Sequence, residues 1–214
     1  MAPTAPLDRP YPAQNQDTDT RTLIDGLNQA LRDSGLTQSD FATALGTSAS
    51  RLSTYRNGKT TPAATFYLRA RRIGHCLREA YSLGWMSSIR TADAIAEALD
   101  DDDNTWALKM VLQGRDHLHA LLSERDDLAG AWEAAPPSTG ATQWDVLLAT
   151  LAGHEFEAAG LRAPAWTQCA PLASPWVIES ARTDAETVRE QTPAWLSQLG
   201  VFIRAHDLAT QGAG

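Results

Sequence analysis

The chain has 214 residues, 43% of them hydrophobic, enough to bury a substantial core and to form two modules. No stretch is long and apolar enough to span a bilayer, and the N-terminus lacks the charged-then-apolar layout of a secretion signal, which excludes membrane and secreted classes as expectations. A net charge of −8, if evenly spread, would also argue against polyanion binding, but it is not evenly spread.

In chain order, residues 1–20 hold Pro3, Pro6, Pro10 and Pro12 among polar residues and predict a disordered tail. Leu23, Leu27, Ala30 and Leu31 recur at helical spacing and predict a helix over 22–33, stopped by Gly35. Thr37 then caps a second helix with Asp40 as the reciprocal acid, and Leu36 and Phe41 have the spacing of a hydrophobic staple. Phe41, Ala42 and Leu45 form its buried stripe. Gly46 marks a turn, and Ser48 caps a third helix over 49–56 with Leu52 and Tyr55 inward. Ala49, Ser50, Arg51, Ser53 and Thr54 are left facing outward. Asn57-Gly58 ends that helix and Lys59 follows; Thr61-Pro62 is expected to restart a fourth, with the proline at its first position. Two short helices joined by a tight turn and closed by a basic loop suit insertion of one helix into the major groove of DNA.

The segments Leu36-Thr37-Gln38, Leu45-Gly46-Thr47-Ser48 and Asn57-Gly58-Lys59-Thr60, with Leu52 and Tyr55 between them, resemble the Cro and phage-repressor (XRE) family of helix-turn-helix regulators. The resemblance covers residues 22–75. It implies phosphate contacts from Gln38 and from the loop residues Asn57, Lys59 and Thr60. It also implies base reading from Ala49, Ser50, Arg51, Ser53 and Thr54. The chain departs from the family at Ala49, where a long polar reader is usual, and this shifts direct readout towards Arg51, whose guanidinium can hold guanine O6 and N7. Arg71 and Gly74 also fall in a helix that is more apolar in most relatives.

The charge pattern agrees. Residues 21–80 hold nine Lys/Arg against four Asp/Glu, a net of +5, whereas residues 81–214 hold eight against 19, a net of −11. The basic part supplies phosphate attraction. The acidic part suits either plain solubility or capture of a basic protein partner, and Asp100–Asp103 reads as a solvated helix end.

Further on, residues 76–86 are expected to extend the bundle with Leu77, Ala80, Tyr81 and Leu83 in the core. Thr91 is expected to cap a helix carrying Ala92, Ile95, Ala96 and Leu99. A long helix from Asn104 towards Trp132 follows, with Leu108, Val111, Leu118, Leu121, Leu122 and Leu128 on one stripe and Gly114 as a weak point. That stripe serves equally for dimerisation or for packing within the chain. Ala134–Thr142, with Pro136-Pro137 and Gly140, reads as a linker. Trp144, Val146, Leu147, Leu148, Leu151 and Phe156 mark a helix ending near Gly160. Short strands at 176–178 and 201–203 flank a helix over 183–199. The fold class expected is mainly α: a five-helix-type bundle, then a helical C-terminal module with a small α+β cap. The expected divisions are 1–20, 21–86, 87–133, 134–142 and 143–214. Trp144-Asp145, Ala163-Pro164-Ala165-Trp166-Thr167, Gly200-Val201-Phe202-Ile203 and Asp207-Leu208 are similar to C-terminal regions of actinobacterial XRE-type regulators, some of which are antitoxins of a gene pair.

Catalysis finds no support. His154-Glu155-Phe156-Glu157 has the start of a zinc-protease helix, but Ala158 stands where the second histidine must be. His117 and His119 are two apart and cannot share a helix face, and His75 lies beside Cys76 without further ligands. Cys76 and Cys169 have no partner motif and fit free thiols of a reducing cytoplasm. No phosphate loop or nucleophile elbow is present, so no catalytic residue, metal or cofactor is expected. The expected partners are double-stranded DNA bearing an inverted repeat, a second copy of the chain and, where the acidic part serves capture rather than solubility, a protein held by it, on the nucleoid in the cytoplasm.

Overall fold

A computed structural model describes residues 13–178 and 183–208. It is mostly helical, with a two-stranded sheet near the C-terminus. Helix α1 (Ala13–Ser34) runs against α4 (Ala64–Ser82), and α2 (Gln38–Ala44) and α3 (Ala49–Arg56) sit between them in sequence. The α1–α4 approach is close because glycines line it. A Cβ on Gly74 would overlap the Ala30 backbone, and one on Gly26 would strike the Tyr67 ring. Gly74, an oddity in the sequence, is therefore where two helix backbones touch.

The second half builds on the same core. Helices α5 (Ser88–Asp100) and α6 (Asn104–Glu124) form a pair in which Gly114 accommodates Thr91. A 3₁₀ turn (Asp126–Leu128) leads to α7 (Gly130–Glu133), which packs on α4, with Gly130 against Cys76. Helix α8 (Thr142–Ala158) lies on α6. Strand β1 (Trp176–Val177) pairs in parallel with β2 (Val201–Phe202), joining Trp176 to Val201 and Val177 to Phe202. The short helices α9 (Ala185–Glu190), α10 (Ala194–Ser197) and α11 (Ala205–Leu208) complete the cap.

One continuous buried cluster runs from Leu27 to Leu208, with Trp132 fully enclosed. The Trp132 indole N–H donates to the Met86 carbonyl (2.8 Å), and its own carbonyl accepts from the Trp166 indole (2.9 Å). The stretch after α7 is fastened along its length. The Ala135 amide donates to the Ala44 carbonyl at the end of α2 (3.0 Å), and the buried Ser88 hydroxyl donates to the Ala134 carbonyl (2.7 Å). Thr139 donates to the Asp145 carboxylate through both its amide and its hydroxyl.

Several expectations change. Residues 13–20, read as tail, belong to α1; no proline interrupts 13–34, and Arg21 pairs with Asp17 one turn back. The rest of that tail, 1–12, lies outside the described residues. Pro62 precedes α4 as a buried residue rather than opening it; the helix starts at Ala64. Tyr81 and Leu83 stay 69% and 50% exposed on the last turn of α4, while Leu77 and Ala80 are buried. Ser87, not Thr91, caps α5: its hydroxyl accepts from the Arg90 amide, and Thr91 is buried inside the helix, donating back to the Ser87 carbonyl. Met86, through its amide and carbonyl, and Trp85, against the His117 ring, anchor the chain early enough to start α5 there. The helix expected from Asn104 to Trp132 breaks at Arg125, because the chain must turn to place Leu128 and Trp132 in the core. The helix expected over 183–199 divides at Thr192-Pro193, since the residue before proline is pushed out of helical conformation.

Candidate nucleic-acid interface

The α2–turn–α3 unit is built by caps and two left-handed glycines. The Thr37 hydroxyl accepts from the Asp40 amide (3.2 Å) and donates to the Asp40 carboxylate (2.6 Å), fixing the start of α2. At its end Gly46 takes φ +66°, letting the Thr47 amide reach back to the Ala42 carbonyl (2.9 Å). The Ser48 hydroxyl accepts from the Arg51 amide to start α3. Gly58 (φ +68°) ends it the same way, with the Lys59 amide on the Thr54 carbonyl (3.0 Å). Leu52 and Tyr55 are buried, and Tyr55 packs against Phe66 of α4 at 5.2 Å between rings.

This packing decides which side chains α3 presents. Ser50 and Arg51 are exposed, Ser53 and Thr54 are half-buried, and Ala49 is half-buried against the core. Thr54 donates its hydroxyl to the Arg51 carbonyl, and Ser53 accepts from the Asn57 amide group. Arg51 lies over the Tyr55 ring (5.9 Å) with its Nε–H donating to the Tyr55 hydroxyl (2.7 Å). No hydrogen bond from its terminal Nη groups is formed among the described residues. Asn57, Lys59 and Thr60 are all exposed on the loop that Gly58 turns.

Gln38 is half-buried and bridges elements. Its amide nitrogen donates to the Ala49 carbonyl (3.3 Å), and its oxygen accepts from Arg56. Arg56 also donates through Nε to Asn28 of α1 (2.8 Å). Neither Arg56 nor Asn28 was singled out from sequence, because partners 18 and 28 residues apart leave no periodic trace.

The basic residues divide into two sets. Arg72 pairs with Glu133 and Arg78 with Asp33, tying α4 to α7 and α1. Among the described residues, Arg51, Lys59, Arg69 and Arg71 form no ion pair. A family model described as Helix-turn-helix matches residues 27–69, from mid-α1 into α4. This part of the chain is a helix-turn-helix domain of the kind that DNA-binding regulators carry. It is not an enzyme family, and it covers about a fifth of the chain. No curated protein and no solved structure matches the chain.

Each histidine that could act as a ligand has a partner within the chain. The His117 ring nitrogen accepts from the Met86 amide (2.9 Å), and His119 meets Glu155 (2.9 Å). His154 stacks on Trp195 at 4.0 Å. Among the described residues no group of three or more His, Cys, Asp or Glu is placed to hold a metal ion. No described helix is long and apolar enough to cross a membrane.

Proposed function

We propose that the protein is a sequence-specific transcriptional regulator that reads the major groove with α3 and represses its own promoter. The observation that carries this reading is the two-sided α3: Leu52 and Tyr55 lock one face, and Ser50 and Arg51 stand exposed on the other. Arg51 is the principal reader, with its Nη groups on a guanine edge; Ala49 meets a thymine methyl, and Ser50, Ser53 and Thr54 add weaker contacts. Gln38, Asn57, Lys59 and Thr60 hold phosphates on either side. Two copies on an inverted repeat, one half-site each and about one helical turn apart, match the usual geometry of such domains. The protein then works on the nucleoid, in the cytoplasm.

A second reading assigns the acidic half a partner. Residues 81–214 carry a net charge of −11, which suits a basic protein as an antitoxin's target, with DNA binding serving autoregulation. The domain divisions proposed are a DNA-binding unit from α1 to residue 86, a connector over 87–133, a linker at 134–142 and a partner-binding module over 143–214.

Fluorescence anisotropy of the full chain on DNA from upstream of its own gene, titrated with salt against a scrambled duplex, tests the first reading. Binding that discriminates between the two and persists in competitor DNA supports it. Equal, weak binding to both refutes sequence-specific regulation and leaves the partner reading.

A further inference from the structure

Arg56 closes α3. Its guanidinium is held from two other helices by neutral oxygens only: the Asn28 Oδ1 of α1 and the Gln38 Oε1 of α2. The residue is half-buried, yet no carboxylate lies within ion-pair distance of it among the described residues. Arg72 and Arg78 of α4 each have an acid partner. A guanidinium that gives up part of its water without gaining a counterion is unfavourable unless something else supplies the negative charge.

The remaining donors fit one kind of group. Arg56 has five N–H donors in a planar fork, of which two are engaged, and the free ones are on the terminal nitrogens. Gln38 has one amide hydrogen beyond that given to Ala49. Arg56 and Gln38 are bonded to each other, so both sets of unused donors lie close together at the start of α2, beside the start of α3. A compact anion with several acceptor oxygens satisfies both at once, and planar forks of this kind suit phosphate.

We infer that Arg56, aimed by Asn28 and Gln38, is the charged centre of a binding site for a single phosphodiester of the DNA backbone. DNA supplies the counterion that the protein omits. The assignment rests on the DNA-binding reading above but not on which bases α3 reads. It gives Gln38 a partner rather than leaving it to hold a phosphate alone, and makes Asn28 a positioning residue.

The test is the salt dependence of binding. Full-length protein is titrated by anisotropy onto the upstream duplex and onto the scrambled one, over a range of salt concentrations. Arg56→Gln is expected to weaken binding to both duplexes by the same factor and to lower the slope of log K against log salt by about 0.9, the value of one phosphate. Arg56→Lys, which keeps the charge, is expected to keep the slope. A purely structural Arg56 would lower the melting temperature of Arg56→Gln and leave the slope unchanged, and that result overturns the assignment. If Arg56→Gln does not fold, the side-chain Nε–H resonance of Arg56 is followed by NMR in the wild-type protein as scrambled duplex is added. A shift that saturates with binding supports the site; an unmoved Arg56 while the bound protein's other signals shift overturns it. Loss of discrimination between the duplexes in the wild type would count against specific reading by α3, and leaves the slope test of Arg56 standing.

Discussion

At the scale of single residues, the proposed function separates side chains that choose a sequence from side chains that hold DNA. On that proposal Arg51 belongs to the first kind: its Nε is fixed on the Tyr55 hydroxyl, so the side chain has less freedom left to lose on binding. Arg51→Ala is expected to cost about 1–3 kcal/mol on the preferred site and to relax preference at one base pair. Binding measured across a panel of single-base variants checks this; unchanged discrimination would mean that α3 sits in another register. Lys59 belongs on the same proposal to the second kind, exposed on a loop and without an ion pair among the described residues. Lys59→Ala should weaken all duplexes alike and reduce the salt slope by about 0.9. A loss confined to one sequence would contradict a backbone role.

At the scale of elements, close approach and capping matter more than hydrophobicity. Gly74 lies in the middle of a helix, where alanine would ordinarily gain about 1 kcal/mol of helix propensity. Its Cβ would overlap the Ala30 backbone, which cannot move without shifting α1. Gly74→Ala is therefore expected to destabilise the protein by about 1–3 kcal/mol, measured by denaturant unfolding, with the overlap outweighing the propensity. A variant more stable than wild type would show that α1 and α4 separate easily. Asp184 illustrates capping at α9. Hydrogen bonds from the Thr187 amide and hydroxyl hold its carboxyl below the usual carboxylate value. The sign follows: the stabilisation is full above the unfolded pKa, near pH 4, and is lost as pH falls through the lower folded value. Protection of the α9 amides, relative to their intrinsic exchange rates, should fall over that range in the wild type and show no such step in Asp184→Ala.

At the scale of the whole molecule, the helix-turn-helix domain and the following helices share one core. His117 makes this concrete, because its ring nitrogen on α6 accepts from the Met86 amide, between α4 and α5. Burial lowers its pKa, with Asp116 opposing and Arg90 assisting. Protonation removes the acceptor, so stability is full above the unfolded pKa of about 6.5 and declines as pH falls below it. Thermal unfolding between pH 7.5 and 5 should show this decline, and His117→Gln should flatten that part of the profile. Leu118 lies one residue further, fully buried. Leu118→Ala is expected to cost about 2–5 kcal/mol and to lower a single unfolding transition rather than split it. Two separate transitions would show that the halves melt independently.

The sequence by itself determined α2, α3 and their turns, because each rests on local signals: the Thr37 and Ser48 caps, Gly46 and Gly58, and the inward Leu52 and Tyr55. The outward placing of Ser50 and Arg51 follows from the same periodicity, as does the run of α8 from near Trp144. Tertiary structure alone decided where α5 begins, where the long helix breaks at Arg125, and why Gly74 is glycine. Those depend on Met86, Trp132 and Ala30, residues distant in sequence whose contacts leave no local pattern. The same holds for Arg56, which in sequence is one more basic residue at a helix end. Its character comes from Asn28 and Gln38, brought beside it only when α1, α2 and α3 pack together.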